Sequence, residues 1–167
     1  NIVEAFTYNA HREKLRVIDK EHLLEPLNRA ALKIARKVAD NAPKDTGINL
    51  MAGNISNSNI WEQDNKKIQS EVRNMFAEMI KWATEEKADF IIGETFYYAE
   101  EAFVALEEIK KSGLPSVITI SPMGENKMKD GYTILETCKK LEEQGADVVG
   151  LNCFRGPATM LPYIKEI

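Results

Sequence analysis

The stretch Gln144-Gly145-Ala146-Asp147-Val148-Val149-Gly150-Leu151-Asn152-Cys153-Phe154-Arg155-Gly156-Pro157 holds one complete structural step. Gly145 after Gln144 ends a helix, because a glycine takes up the left-handed conformation of a helix terminus without a Cβ penalty. A short β-branched run follows and reads as a buried strand. It closes on Asn152 and Cys153, and turn residues come at once. The question is what a thiol does at the end of a buried strand. A free cysteine there is either a small apolar filler or a reactive group delivered to a site, and these residues alone leave both readings open.

Four more runs of the same kind precede it, at Ile2 to Tyr8, Ile48 to Ile55, Phe90 to Phe96 and Ser116 to Ser121, and the last run covers Asp147 to Cys153. Helical periodicity fills the gaps over Glu21 to Asp40, Asp64 to Lys87, Ala99 to Ser112 and Tyr132 to Gln144, with a further helix opening near Ala158. In the second helix Val72, Met75, Phe76, Met79, Ile80 and Ala83 keep to one face, while Glu71, Lys81, Glu85 and Glu86 point away. Strict β-α alternation implies a parallel sheet with right-handed crossovers. Two α/β architectures fit it: a five-stranded doubly wound sheet, and a (β/α)8 TIM barrel of about 250 residues present only in part. The chain opens on Asn1-Ile2-Val3-Glu4 without Met or polar lead-in and closes on Tyr163-Ile164-Lys165-Glu166-Ile167 without a capping glycine. It is therefore read as one partial barrel domain over residues 1–167, truncated at both ends.

Composition narrows the function. With 44% hydrophobic and 29% charged residues the chain has apolar material for a sizeable core, and its net charge of -4 gives no basic footprint for nucleic acid or an anionic membrane. No apolar run is long enough to span a bilayer. Two cysteines are too few for a disulfide framework, which points to a reducing, cytoplasmic setting. A homo-oligomer stays open.

In both architectures ligands bind beyond the carboxyl ends of the strands. Those ends carry Phe6, Tyr8 and Asn9; Asn54, Ser56 and Asn57; Glu94, Thr95 and Phe96; Ser121; and Asn152 and Cys153. No lysine stands there for a Schiff base, no histidine, and no glycine-rich phosphate cradle. The aspartate and lysine that a phosphoacceptor sheet needs on its third and fifth strands are replaced by Glu94 and Cys153. His11 and His22 are expected at the surface, and Cys138 inside a helix is expected to pack. Glu94 is either a structural carboxylate or a partner for a ligand's ammonium. Phe6 and Tyr8 are either core or an aromatic wall able to hold an onium methyl group by cation–π attraction. No side chain is assigned as an acid–base catalyst.

The blocks "EAFTYNAHREKL", "LMAGNIS", "ADFIIGETFYYAEEA" and "GADVVGLNCFRGPATMLP" together resemble the homocysteine S-methyltransferase family, in particular its betaine–homocysteine methyltransferase-like branch. The resemblance runs over nearly the whole chain, from the second barrel strand to just past the sixth. It implies a (β/α)8 barrel with a zinc ion on three cysteines, of which Cys153 matches the first and the other two belong to a C-terminal Gly-Gly-Cys-Cys motif absent from this sequence. It also implies that Glu94 holds the amino group of homocysteine, and that Phe6, Tyr8, Thr95 and Asn152 line the site. Asn9 and Phe154 stand where betaine enzymes carry an aromatic residue and a histidine, so betaine is not assigned as the methyl donor.

The chemistry accounts for the cysteine. A free thiol is only a few per cent thiolate at neutral pH, whereas a thiol coordinated to zinc is deprotonated. The resemblance thus implies zinc-dependent transfer of a methyl group from a small onium-type or other donor to homocysteine, giving methionine. Two other readings stand beside it: a non-catalytic relative acting as a binding module, and a different barrel enzyme, a lyase using Glu94 as base.

Overall fold

The computed structural model describes residues 1–43, 47–122 and 126–167. Its five strands, β1 (Ile2–Glu4), β2 (Leu50–Ser56), β3 (Phe90–Phe96), β4 (Ser116–Ile120) and β5 (Val148–Leu151), form one parallel sheet in the order β1-β2-β3-β4-β5. Helices α1 (Arg12–Arg16), α2 (Leu24–Asp40), α3 (Lys66–Glu85), α4 (Ala99–Ser112), α5 (Ile134–Glu143) and α6 (Pro157–Ile164) alternate with them.

Sequential order decides between the two architectures. A doubly wound sheet reverses its direction of winding once, which puts helices on both faces. Here every crossover steps to the next strand in the same direction, so right-handedness puts all the helices on one face. Met51, Ile55, Ile91, Ile118 and Ile120 lie on that face and join one buried cluster with Val72, Phe76 and Met79 of α3 and Leu106 and Ile109 of α4. The opposite face carries Ile2, Leu50, Ala52, Ile92, Val117 and Val148 by register. Ile2 is 61% exposed and Val148 52%. This is the arrangement of a barrel sector, with the second face as the barrel interior.

Local chemistry matches each element. Asn65 caps α3 by accepting from the backbone N–H groups of Lys67 and Ile68 at 3.2 and 3.3 Å. Thr133 and Glu136 form a reciprocal capping box on α5, and α4 ends on Gly113 at φ 76°. Two aspartates serve a common purpose in the sheet. Asp89, just before β3, accepts from Met51 N at 2.6 Å, and Asp147, just before β5, accepts from Ser116 N at 2.8 Å. Each pins the start of a neighbouring strand.

Three expectations need correction. The first strand pairs only to Glu4, because the chain then turns: Thr7 N donates to Ala5 O, and the Thr7 hydroxyl takes over the link to β2 by donating to Asn54 O at 2.9 Å. The short helix α1 follows where a loop was expected. His11 is not at the surface but 2% exposed, since it caps α1 by accepting from Lys14 N at 3.5 Å, and burial with the nearby Lys14 charge pushes its pKa down to about 3.

Close packing between sheet and helices rests on Gly53, where a Cβ would come within 2.7 Å of both Ala83 Cβ and Ile91 Cδ1. Gly53→Ala should cost about 1–3 kcal/mol of stability in urea unfolding, the range for overpacking a dense core. Gly150→Ala, whose nearest atom would be Thr119 Cγ2 at 3.8 Å, should stay within about 0.5 kcal/mol.

A second prediction concerns Glu101, 1% exposed in the first turn of α4, which accepts from the Ser58 N–H at 2.7 Å and from its hydroxyl. Burial raises its pKa to about 7 against the two bonds from Ser58. The folded state therefore holds this proton more tightly than the unfolded one. Its contribution to stability is fully present below about pH 4.5 and falls as pH rises to about 7, by on the order of 3 kcal/mol. Thermal unfolding from pH 5 to 7.5 should show that slope in the parent and a flatter one in Glu101→Gln.

Candidate functional site at the carboxyl ends of the strands

The rim at the carboxyl ends gathers polar groups from four strands. Asn54 of β2 uses one amide nitrogen for two carboxylates: Nδ2 donates to Glu4 Oε1 at 2.5 Å and to Glu94 Oε1 at 2.7 Å. Asn152, just past β5, donates to the other oxygen, Glu94 Oε2, at 3.1 Å and to Thr95 Oγ1 at 2.7 Å, and its own Oδ1 accepts from Thr95 N at 3.1 Å. Glu94 is thereby held from both sides with its carboxylate half-exposed. Burial raises the pKa of Glu4, the Asn54 bond opposes this, and repulsion from Glu94 adds to it. Two acids facing each other across one amide call for a cation.

A backbone irregularity aims these groups. The β3–β4 register shifts between Gly93 and Phe96, and Thr95 sits at φ 63°, a left-handed conformation that is rare for a β-branched residue. The bulge turns Phe96 to the helix side, where it packs edge-on against Phe76 at 6.0 Å, and leaves Glu94 and Thr95 both at the rim. Cys153 repeats the device at φ 58°. Its thiol is exposed, 3.8 Å from Thr95 Oγ1 and 3.5 Å from Asn152 Nδ2.

The candidate residues divide on this geometry. Glu94, Thr95, Asn152 and Cys153 form one hydrogen-bonded cluster. Tyr8 stands beside it, its hydroxyl 3.5 Å from Asn57 Nδ2 and close enough to Tyr97 to help raise that phenol's pKa, after burial and ahead of Cys153. Phe6 is not brought in: it is 85% exposed and lines a groove of about 500 Å³ at the β1 edge with Glu4, Asn9 and the α2 residues Leu27, Ala31 and Ile34. Three participants were not singled out from the sequence as site residues: Glu4, Asn54 and Tyr97. Asn54 was legible as a strand-end residue. Tyr97, one position past β3, packs edge-on against Phe154 at 5.6 Å.

For a metal, the exposed Cys153 thiol is a suitable soft donor with hydrogen-bond partners already placed around its sulfur. Among the described residues no three His, Cys, Asp or Glu side chains come together as a metal site. Cys153 thus fits as one ligand, and this stretch does not supply a full set. Among the same residues no helix is long and apolar enough to cross a membrane.

Comparison with known proteins agrees with this fold. The family model described as homocysteine S-methyltransferase matches residues 1–167. Betaine–homocysteine S-methyltransferase 1 of Rattus norvegicus is 33% identical over 171 residues, covering 99% of this chain and 40% of its own length. S-methylmethionine–homocysteine S-methyltransferase BHMT2 of Pongo abelii is 32% identical over 165 residues, covering 99% and 42%. The chain thus spans about two-fifths of the length of these two relatives. Among solved structures, the metallated form of the homocysteine methyltransferase MmuM from Escherichia coli superposes with a TM-score of 0.74 at 15% identity, over 91% of this chain and 57% of that one, a likeness of fold. With the sequential parallel sheet and a match along its whole length, this chain belongs to the homocysteine S-methyltransferase family.

Proposed function

We propose that the complete protein transfers a methyl group from a small onium-type donor to the thiol of homocysteine, giving methionine, and that residues 1–167 are strands two to six of its barrel. The observation that carries this reading is the pairing, on one rim, of an anchored carboxylate with an exposed thiol. Glu94, held by Asn54 and Asn152, is a fixed anion for the substrate ammonium. Cys153, bonded to the same Asn152 and to Thr95, marks where the sulfur chemistry takes place.

In this reaction the substrate thiol gives up its proton to solvent, its sulfur attacks the methyl carbon, and the bond from that carbon to the donor's cationic nitrogen or sulfur breaks. The electron pair stays on the donor atom, which becomes neutral. Zinc, with Cys153 as one ligand and the others from elsewhere in the full-length protein, would supply the acidity that ionises the thiol at neutral pH. The residues of this chain orient the amino acid: Glu94 fixes one end, and Asn152 couples the position of Glu94 to that of Cys153. Tyr8 and Tyr97 offer aromatic faces for the donor cation. Free cysteines fit a reducing compartment such as the cytoplasm.

Two substitutions in the full-length protein test separate aspects of this. Glu94→Gln should weaken homocysteine binding by roughly 1.5–3 kcal/mol, the range for a hydrogen bond to a charged group, with zinc content unchanged. Unaltered binding would remove Glu94 from the substrate site.

Cys153→Ser should abolish bound zinc and methionine formation together while the protein keeps its fold, because serine is a poor zinc donor and Cys153 lies outside the core. Cys138→Ser is the control and should keep both, since that thiol is buried in α5 and its pKa is pushed up to about 11 by burial. Full zinc occupancy in Cys153→Ser, measured by metal analysis, would reject the metal role.

A further inference from the structure

The left-handed backbone at Cys153 does not stop there. Cys153 lies at φ 58° and Phe154 at φ 55°, and Arg155 N donates back to Cys153 O at 2.6 Å, which closes a three-residue turn around Phe154. Neither residue is a glycine, so each meets the steric penalty of this conformation, and a tight turn centred on a positive φ is the rare, strained form. Such a turn persists only where its surroundings over-determine it. The chain leaves the sheet just before it, with Asn152 N donating to Ile120 O at 3.1 Å.

The restraint on the turn comes from the end of β3. Phe154 is 59% exposed, yet its ring meets the Tyr97 ring edge-on, with centroids 5.6 Å apart and planes at 86°. Tyr97 is itself fixed. It follows directly on the fully buried Phe96, its carbonyl accepts from Lys129 N at 2.9 Å, and Lys129 Nζ lies 5.1 Å from its ring centroid. An edge-to-face pair adds attraction beyond the area it covers, and here that attraction favours one arrangement of the turn. The Cys153 sulfur has Thr95 Oγ1 at 3.8 Å and Asn152 Nδ2 at 3.5 Å, but hydrogen bonds to sulfur are weak and leave the backbone of the turn unrestrained.

We infer that Phe154 is a positioning residue: its ring, held by Tyr97, keeps the left-handed turn that presents the Cys153 thiol to a metal. The inference rests on the reading of Cys153 as a zinc ligand. Phe154 acts only through the backbone it shares with that cysteine.

The test is the zinc affinity of the full-length protein, measured by competition with a chelating dye and set beside the urea midpoint of the metal-free form. Phe154→Ala should weaken zinc binding about 10- to 100-fold, the range for losing a group that orients a metal ligand, with the midpoint hardly moved. Tyr97→Ala should do the same, and the double variant should lose no more than either single one, since both remove one contact. Phe154→Tyr keeps the ring and should keep the parental affinity. Phe154→Gly removes the ring but takes a positive φ without strain, so it should lose less than Phe154→Ala. Parental affinity in Phe154→Ala overturns the assignment, and so do losses that add in the double variant, because the two rings would then act separately. A fall in zinc affinity matched by a fall in the urea midpoint, and not restored by Phe154→Tyr, marks a merely structural ring and overturns it too. Zinc retained in Cys153→Ser overturns the metal reading itself, whereas zinc lost there and kept in Phe154→Ala overturns only the role of Phe154.

Discussion

The constraint on which the rest of the structure depends is the direction of winding. Five parallel strands joined in strict sequence by right-handed crossovers must put their helices on one face and all their carboxyl ends on one rim. Residues about fifty apart in the chain then become neighbours. Glu4, Asn54, Glu94 and Asn152 lie at or near the carboxyl ends of four different strands, and two asparagines stitch them together over the intervening backbone. Asn152 reaches past β4 to bond Thr95 and Glu94 of β3, 57 and 58 positions away. The rim is polar because the fold collects strand ends there, while the helix-facing side of the same strands is mostly apolar, with Ser116 as a buried polar residue on it.

Holding that rim in place costs backbone energy. Thr95 and Cys153 both lie in the left-handed region, at φ 63° and 58°, where a non-glycine residue is disfavoured by about 1–2 kcal/mol. The surroundings offset this. Asn152 Oδ1 accepts from Thr95 N, so the residue just before the left-handed Cys153 also secures the left-handed residue near the end of β3. The two ends correspond in sequence as well: Glu94 and Asn152 each stand five residues after an aspartate, Asp89 or Asp147, that bonds the neighbouring strand. One β-α design is used twice, with a carboxylate at the first end and an amide plus thiol at the second.

Most of the fold was legible because its signals are local. The helix faces, the Gly113 and Gly145 stops, the Thr133 capping box and the β-branched runs each depend on residues a few positions apart. The strand order was not, since a doubly wound sheet and a barrel sector share the same alternation and differ only in which strands pair. The clustering of the candidate residues was legible where they lie near strand ends, as Glu94, Thr95, Asn152 and Cys153 do. It was obscure where the chain leaves the sheet early. Pairing of β1 stops at Glu4, which moves Phe6 outward to the edge groove and brings Lys14 to the Tyr8 carbonyl through a five-residue helix too short to leave a periodic pattern. The burial of His11 was hidden for the same reason: its environment is made by that helix and not by its own neighbours in sequence.

The two cysteines show how position separates chemistry that composition cannot. Both are free thiols at opposite ends of one β-α unit. Cys138 is 1% exposed among the α5 core residues, and burial raises its pKa to about 11, which keeps it a neutral apolar filler at physiological pH. Cys153 is exposed past the end of β5, with a hydroxyl and an amide directed at its sulfur. An exposed thiol of that kind contributes little to packing, so a filler role does not explain its place or the left-handed backbone that presents it. Asn152 stands behind both this sulfur and the Glu94 carboxylate, so a shift in one is carried to the other through a single amide. The Glu94 carboxylate and the Cys153 thiol are on that account coupled by geometry.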